Sequence, residues 1–443
     1  MQISKNTDNL YWIWLSLRLG VANASYLSLL EKCGSPFDIY NMNSADFPAI
    51  EGVNDTTLAK LDDKNLTEAY KIIDFCSLKN VGILTYGSKN YPTQLRTLRN
   101  PPIVLYYRGT IPSFDTNPAI AVVGTRKMSE YGKNSAFKIA YELAAAGTII
   151  VSGMALGIDS VASCGALEAN GQTVAVLGCG IDVTYPTQHA KLMELIIQNG
   201  AVMTEFAPST RPMGENFPIR NRIISGLCRG TLVIEADAKS GALITAKNAI
   251  IQGREVYALP GNIGESNSDG TNALIRDGAG IILGAEDLLK NLENLYSKTI
   301  NYTHLRFMQQ KYTGPDNALS RYCVSSRTVK VPVTHQKNSP IEETSTLRAH
   351  KINHKNNKIA ETATTPQKPK TITPPIPDNS TEIISTLSEK NRKIFEQMPL
   401  DRAISIEKLT VAGFSVGDVI GAMTVLEIKG LVSSLPGGMY IRK

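Results

Sequence analysis

The stretch with the clearest chemical content is Gly124-Thr125-Arg126, which closes the apolar run 119–123 and leads through a polar turn into a segment of helical length. An α/β protein commonly holds an anion at a turn of this kind, between a strand end and a helix start. The glycine lets open backbone N–H donors approach a ligand closely, and the arginine offers a planar fork that matches two phosphate oxygens. The dinucleotide fingerprint needs G-x-G-x-x-G, whereas here one glycine is followed by threonine and arginine, so no dinucleotide cofactor is implied. Comparable turns follow other apolar runs: "VSGMALGID" with Ser152, Gly153 and Gly157, "VLGCGIDVTYP", and "EADAKSGALITA" with Ser240 and Gly241 at a helix start. Two readings of Arg126 stand side by side, a phosphate ligand and a surface ion pair with a nearby carboxylate. The surrounding glycine turns favour the first.

A second constellation is "ENFPIRNRIISGL", residues 215–227. Asn216 suits a helix cap and Pro218 a first helical turn. Arg220 and Arg222 then stand two apart, which on a regular helix puts them on different faces. They cannot share one phosphate, so one is expected to meet a ligand while the other ties the helix to the sheet. Phe217 is either a core residue or a stacking face for a base. Asp159, Asp182, Glu205, Glu235 and Asp237 could supply an acid or base, yet there is no G-x-S-x-G, no H-E-x-x-H and no Walker lysine. No catalytic residue is therefore assigned. The six cysteines (Cys33, Cys76, Cys164, Cys179, Cys228 and Cys323) include no C-x-x-C pair, and His189 has no histidine or cysteine neighbour, so neither a metal nor a disulfide framework is expected.

Such turns act together only if a sheet aligns them. From about 80 to 295 the chain alternates short apolar runs ("GILTYG", "IVLYYRG", "AIAVVG", "TIIVSG", "TVAVLG", "AVMTEF", "TLVIEA", "EVYALPG") with segments that are helical in length from residue 119 onward. Continuous apolar strands imply a sheet covered on both faces. Strand–helix repetition implies an α/β, doubly wound, mostly parallel sheet with all these turns along its carboxyl edge. Three domains and a linker are expected: a small helical domain over 1–78, a Rossmann-like domain over 79–298, a linker over 299–380 and a winged-helix-like domain over 381–443. The helical domain could contact a DNA backbone or simply pack. Residues 301–378 hold 12 Lys/Arg against 5 Asp/Glu, while the whole chain is only +6, so the basic excess belongs to the linker. Its Thr, Asn, Lys and Pro content cannot bury enough apolar surface to order it, although "YTHLRFMQQKY" could pack on the sheet domain. The last segment reads helix, helix, longer helix and short hairpin, the order of a winged helix. No secretion signal and no apolar run near the roughly 20 residues of a membrane span are visible, so a cytoplasmic protein without membrane contact is expected.

Taken together, Gly124-Thr125-Arg126, "SGMALGIDSVA", "GALEANGQTVAVLGCGIDVTYP", "NFPIRNRIISGL", "EADAKSGALITAKNAIIQGREVYALPG" and "GTNALIRDGA" resemble the bacterial DNA-processing protein A (DprA/Smf) family over about residues 91–289, with looser similarity at both ends. The resemblance implies an extended Rossmann domain that binds single-stranded DNA and forms a homodimer. It also implies an N-terminal helical domain of SAM or helix-hairpin type, and a role in natural transformation in which the protein protects incoming DNA and loads the RecA recombinase onto it. The implied anion pocket falls on Gly124, Thr125, Arg126, Ser152, Gly153 and the "FPIRNR" helix start, which adds Asn221. Ser163-Cys164 stands where the family usually carries a histidine, and the basic linker is longer than the family pattern. The rival is a nucleotide phosphoribohydrolase-like Rossmann enzyme, which carries a P-G-G-x-G-T-x-x-E run. The nearest stretch here, "ALPGNIGESNSDGTN", lacks its adjacent glycines and spacing. A partner-binding scaffold is the third reading and leaves the arginine among glycine turns without a purpose.

Overall fold

The computed structural model of the 443-residue chain describes residues 2–47, 50, 53–322, 387–399, 404–405, 409, 414, 416–429, 431–435 and 439–442. These fall into two units.

In the first unit a nine-stranded sheet comprises β1 (Gly82–Thr85), β2 (Val104–Gly109), β3 (Ala119–Val123), β4 (Ile149–Ser152), β5 (Thr173–Val176), β6 (Gly200–Thr204), β7 (Gly230–Val233), β8 (Glu255–Ala258) and β9 (Gly280–Ile281). Their spatial order is β1-β2-β6-β5-β4-β3-β7-β8-β9. Seven strands, β6 through β9 in that order, are parallel, while β2 runs antiparallel to both β6 and β1. From β3 the chain winds outward to β6, then returns beside β3 to place β7. The point between β3 and β7, where winding direction reverses, opens a crevice at the strands' carboxyl ends.

Alternate strand residues enter different cores, which explains the unbroken apolar runs. Ile120, Val122 and Ile150 face one layer, and Ala121, Val123, Val151 and Val174 the other. The first layer is built from α7 (Glu130–Ala145), α8 (Ile158–Glu168), α9 (Ala190–Gln198) and α13 (Ala285–Tyr296), the second from α10 (Asn216–Gly226) and α11 (Gly241–Ile251).

The N-terminal helices α1 (Gln2–Leu19) and α2 (Ser25–Cys33) belong to the same continuous core as the first layer. Trp12 reaches the sheet domain so closely that a Cβ on Gly87 would lie 2.9 Å from its ring. The amide of Ala22, in the turn between α1 and α2, donates to Glu205 beyond β6 at 3.3 Å.

The sheet unit also extends past the expected boundary at 298. Helices α14 (Tyr302–Lys311) and α15 (Asp316–Tyr322) pack on the first layer through buried Leu305, Met308 and Ala318. Polar ties fix them: Tyr141 donates to the Met308 carbonyl at 2.9 Å, and Arg321 pairs with Glu168 at 2.7 Å. The remainder of the expected linker lies outside the described residues.

Within the second unit, helices Glu389–Glu396 and Val416–Ile428 accompany an antiparallel sheet of β10 (Ile404–Ser405), β11 (Val432–Leu435) and β12 (Met439–Arg442) in the order β10-β12-β11. Ile394, Phe395, Val419, Met423 and Leu426 form its core. Most of the expected middle helix, 405–413, is outside the described residues. Among those described, no helix is long and apolar enough to cross a membrane.

Candidate nucleic-acid interface

The loops leaving β3, β4 and β7 interlock at the switch point. The Thr125 amide donates to the Glu235 carbonyl at 2.8 Å, and the Ile158 amide donates to the Thr125 carbonyl at 3.2 Å. Glycine is required here by contact. A Cβ on Gly157, whose φ is +83°, would lie 2.3 Å from the Thr125 oxygen, and one on Gly124 would lie 2.6 Å from the Ile158 side chain. The amides of Thr125 and Gly153 are already engaged, the latter with Asp159 Oδ2 at 3.1 Å. Buried Ser152 donates its hydroxyl to the Val122 carbonyl at 2.7 Å. The expected cluster of open backbone donors is therefore not present at Thr125 and Gly153. Their glycine-rich loops serve close packing, and only side chains are left open to an anion at these positions.

Arg126 is the group so left. It is exposed and has no ion-pair partner among the described residues, which removes the surface ion-pair reading. Its guanidinium carbon lies 5.6 Å from the centre of the Phe217 ring, while that of Arg220 lies 5.8 Å from the same ring. Both distances are within cation–π range. Tyr185, in the loop after β5, tilts against Phe217 with ring centres 5.5 Å apart and remains 39% exposed. Gly178 makes room for Phe217, since a Cβ there would lie 2.8 Å from its ring. The hollow between them has about 30 Å³ of space for water, far below the roughly 300–1,000 Å³ of a small-molecule site. It is too small to enclose a small-molecule ligand.

Arg220 forms the floor and is buried. It donates to the carbonyls of Gly153, at 2.8 Å, and Val176, and its Nε donates to Asn221 Oδ1 at 3.2 Å. A Cβ on Gly153 would come within 2.6 Å of its nitrogens. Burial lowers this guanidinium to about 10, opposed by the charge of Asp159. Burial likewise raises the Asp159 carboxyl, against the pull of Arg220. His189 donates Nδ1–H to the Met154 carbonyl at 2.9 Å, and burial pushes its imidazole below the usual value.

The two arginines of α10 divide as their spacing requires. Arg222 points away from the hollow into a buried pair with Glu205 at 2.6 Å, so it is the tie and does not reach the crevice surface. Asn216 does not cap the helix: Glu215 occupies the cap position, and buried Asn216 donates its amide to the Arg211 carbonyl at 3.3 Å. Asn221 reaches the Gly241 carbonyl at 3.4 Å. Ser240 caps α11 by accepting from the Ala242 amide at 3.3 Å. One hollow thus brings together Arg126, Gly153, Phe217 and Arg220. Gly124, Thr125, Ser152 and Gly157 lie behind it as packing, and Ser240 and Gly241 border it through Asn221.

All five candidate carboxylates have structural partners. Asp159 holds the Gly153 amide, Asp182 the Ser209 amide at 2.7 Å, Glu205 pairs with Arg222, Glu235 accepts the Ser129 amide at 2.9 Å and Asp237 the Lys239 amide at 2.7 Å. A larger hollow of about 680 Å³ lies beside Glu235, with Glu130 and Glu265 in its wall and no lysine or arginine. Its charge disfavours a phosphate.

Sequence reasoning passed over Tyr185 and three exposed cations on the same edge: Lys127, Arg211 and Lys239, none of them in an ion pair among the described residues. The available signal was their position, each within a loop that directly follows a strand.

A family model described as DNA recombination-mediator protein A matches residues 82–293. Protein Smf of Synechocystis sp. is 30% identical over 446 residues, covering 99% of this chain and 100% of the relative. DNA processing protein DprA of Streptococcus pneumoniae is 34% identical over 294 residues, covering 64% of this chain and 98% of that protein. The X-ray structure of DNA processing protein A (DprA) from Streptococcus pneumoniae superposes with a TM-score of 0.53 at 34% identity, over 63% of this chain and 97% of that one. Matched along its whole length by one relative and through its sheet by the family model, the chain belongs to the DNA-processing protein A (DprA/Smf) family.

Proposed function

We propose that this protein binds single-stranded DNA across the carboxyl edge of its sheet, without turning it over, and that it acts in natural transformation by protecting incoming strands and loading RecA onto them. The observation that carries the reading is an exposed Arg126, without an ion pair among the described residues, set against the Phe217–Tyr185 ring pair. A cation beside aromatic faces suits a strand whose phosphates and unstacked bases are both accessible, and it carries no sequence information. A duplex would hide the bases from Phe217. The family membership and the name recombination mediator support the recombination role, and RecA loading and a homodimer rest on the family resemblance alone. The C-terminal unit, read as a winged helix, would be an accessory module. Binding rather than hydrolysis is favoured because each candidate acid is held by an internal partner.

The test is a titration of the full chain with labelled single- and double-stranded oligonucleotides of mixed sequence, alongside incubation with nucleoside monophosphates. Tighter, sequence-tolerant and salt-sensitive binding of the single strand is expected, with no release of free base. Release of base at even about 1 s⁻¹, or a preference for duplex, would overturn the proposal.

A further inference from the structure

The carboxyl edge carries, in a definite order, cations without ion pairs among the described residues. Arg211 follows β6, Arg126 and Lys127 follow β3, and Lys239 follows β7. In space these strands stand in the order β6-β5-β4-β3-β7, so Arg211 and Lys239 belong to loops on opposite sides of Arg126. The loops between them supply apolar surface: Tyr185 after β5 and Leu156 after β4, which is 44% exposed. The edge therefore reads cation, apolar surface, cation, cation.

Both outer cations stand on loops whose backbone is fixed. The Arg211 carbonyl accepts from the Met213 amide at 2.9 Å and from Asn216 at 3.3 Å, and Asp182 clamps the same loop through Ser209. The Lys239 amide donates to Asp237 Oδ1 at 2.7 Å, and the next residue, Ser240, caps α11. Ordered backbone beneath a long basic side chain lowers the entropy cost of holding a phosphate.

We infer that the bound strand crosses the sheet edge perpendicular to the β-strands, from the loop after β6 to the loop after β7, with Arg211 and Lys239 as phosphate contacts flanking Arg126. The inference rests on the single-stranded DNA reading above and adds the path and two binding residues. Four inter-strand gaps of about 4.8 Å give a track of about 19 Å. At about 3.4 Å per phosphate for a stacked strand, that track spans no more than about six nucleotides.

The test measures binding of a labelled oligothymidylate to the full chain as a function of salt, for the parent and for Arg126→Ala, Arg211→Gln, Lys239→Gln and Lys79→Gln. Lys79 is exposed and lies three residues before β1 at the amino edge of the sheet, so it reports general loss of charge. Arg211→Gln and Lys239→Gln should each weaken binding about threefold to tenfold and lower the slope of log affinity against log salt by about 0.7, one phosphate's share on a single strand. Lys79→Gln should match the parent. If Arg126→Ala lowers the slope but either Arg211→Gln or Lys239→Gln matches the parent, the path is wrong while the binding reading stands. An equal effect of Lys79→Gln also overturns the path. If the parent itself fails to bind the oligonucleotide, the binding reading falls first.

Discussion

Replacing Glu205 by leucine should destabilise the protein by about 3–5 kcal/mol, the usual cost of leaving one member of a buried ion pair alone. The structure supports that magnitude in detail. Arg222 and Glu205 meet at 2.6 Å with side chains only 7% and 2% exposed. Both contacts to the carboxylate come from one nitrogen, and Nε and Nη1 of Arg222 have no acceptor among the described residues. Removing Glu205 therefore leaves a buried guanidinium without an acceptor among the described residues. It also deprives the Ala22 amide of its acceptor, worth about 1 kcal/mol more. Arg222→Met alone should cost a similar amount by stranding the carboxylate. The double variant Glu205→Leu/Arg222→Met should recover most of the loss, because apolar groups of similar volume replace a pair whose desolvation is costly. Urea unfolding followed by tryptophan emission suits the question. The chain has two tryptophans, and Trp12 and Trp14 both lie buried on α1, the helix that leads into the turn Glu205 holds. A Glu205→Leu transition within about 0.5 kcal/mol of the parent, the range of ordinary surface changes, would refute the reasoning. So would a double variant no better than the worse single one.

Further expectations concern pH, backbone and domain structure. Because burial lowers the His189 imidazole in the folded state, the unfolded chain takes up its proton first on acidification. The His189 contribution is complete above the unfolded value of about 6.5 and is lost as pH falls toward and through the folded one. Melting midpoints at pH about 7.5 and about 5.5 should therefore differ more for the parent than for His189→Gln; equal differences would contradict this. Gly157→Ala combines φ +83° with a Cβ 2.7 Å from the Arg126 Cα, and should cost about 1–3 kcal/mol and weaken single-strand binding together. A variant with unchanged melting and affinity would remove the packing role assigned to that glycine. A chain ending at Tyr322 should still bind single-stranded DNA, since the candidate interface lies within 124–241 and the sheet unit that carries it closes with α15. Loss of binding by a folded 1–322 protein would move the interface into the later segments.

The sheet was legible because each strand is a short apolar run bounded by glycine, and all eight runs read from sequence are strands. The ninth, Gly280–Ile281, is only two residues long and gives no periodic signal. Past 298 the sequence leaves "YTHLRFMQQKY" open to packing on the sheet domain without deciding it, because α14 and α15 each bury only one or two residues against α7 and α8, too few to mark an element within a polar stretch. At the site, spacing alone separated Arg220 from Arg222, while which one turned toward the crevice depended on Glu205, 17 positions away. Sequence also credited the glycine turns with open amides. Whether an amide is free depends on distant acceptors such as the Glu235 carbonyl and Asp159, which no local pattern reveals.

The most direct test of the account is the single-stranded DNA affinity of Arg126→Ala across a range of salt. A charge-assisted contact from an exposed guanidinium to phosphate is worth about 1.5–3 kcal/mol, so binding should weaken about tenfold to a hundredfold at 1.4 kcal/mol per decade. The loss should be equal for oligonucleotides of different sequence, and the slope of log affinity against log salt should fall by about 0.7. Arg126→Lys should recover the slope but only part of the affinity, because the ammonium lacks the planar fork. An Arg126→Ala protein that is folded by circular dichroism and keeps both the affinity and the salt slope of the parent would contradict the account.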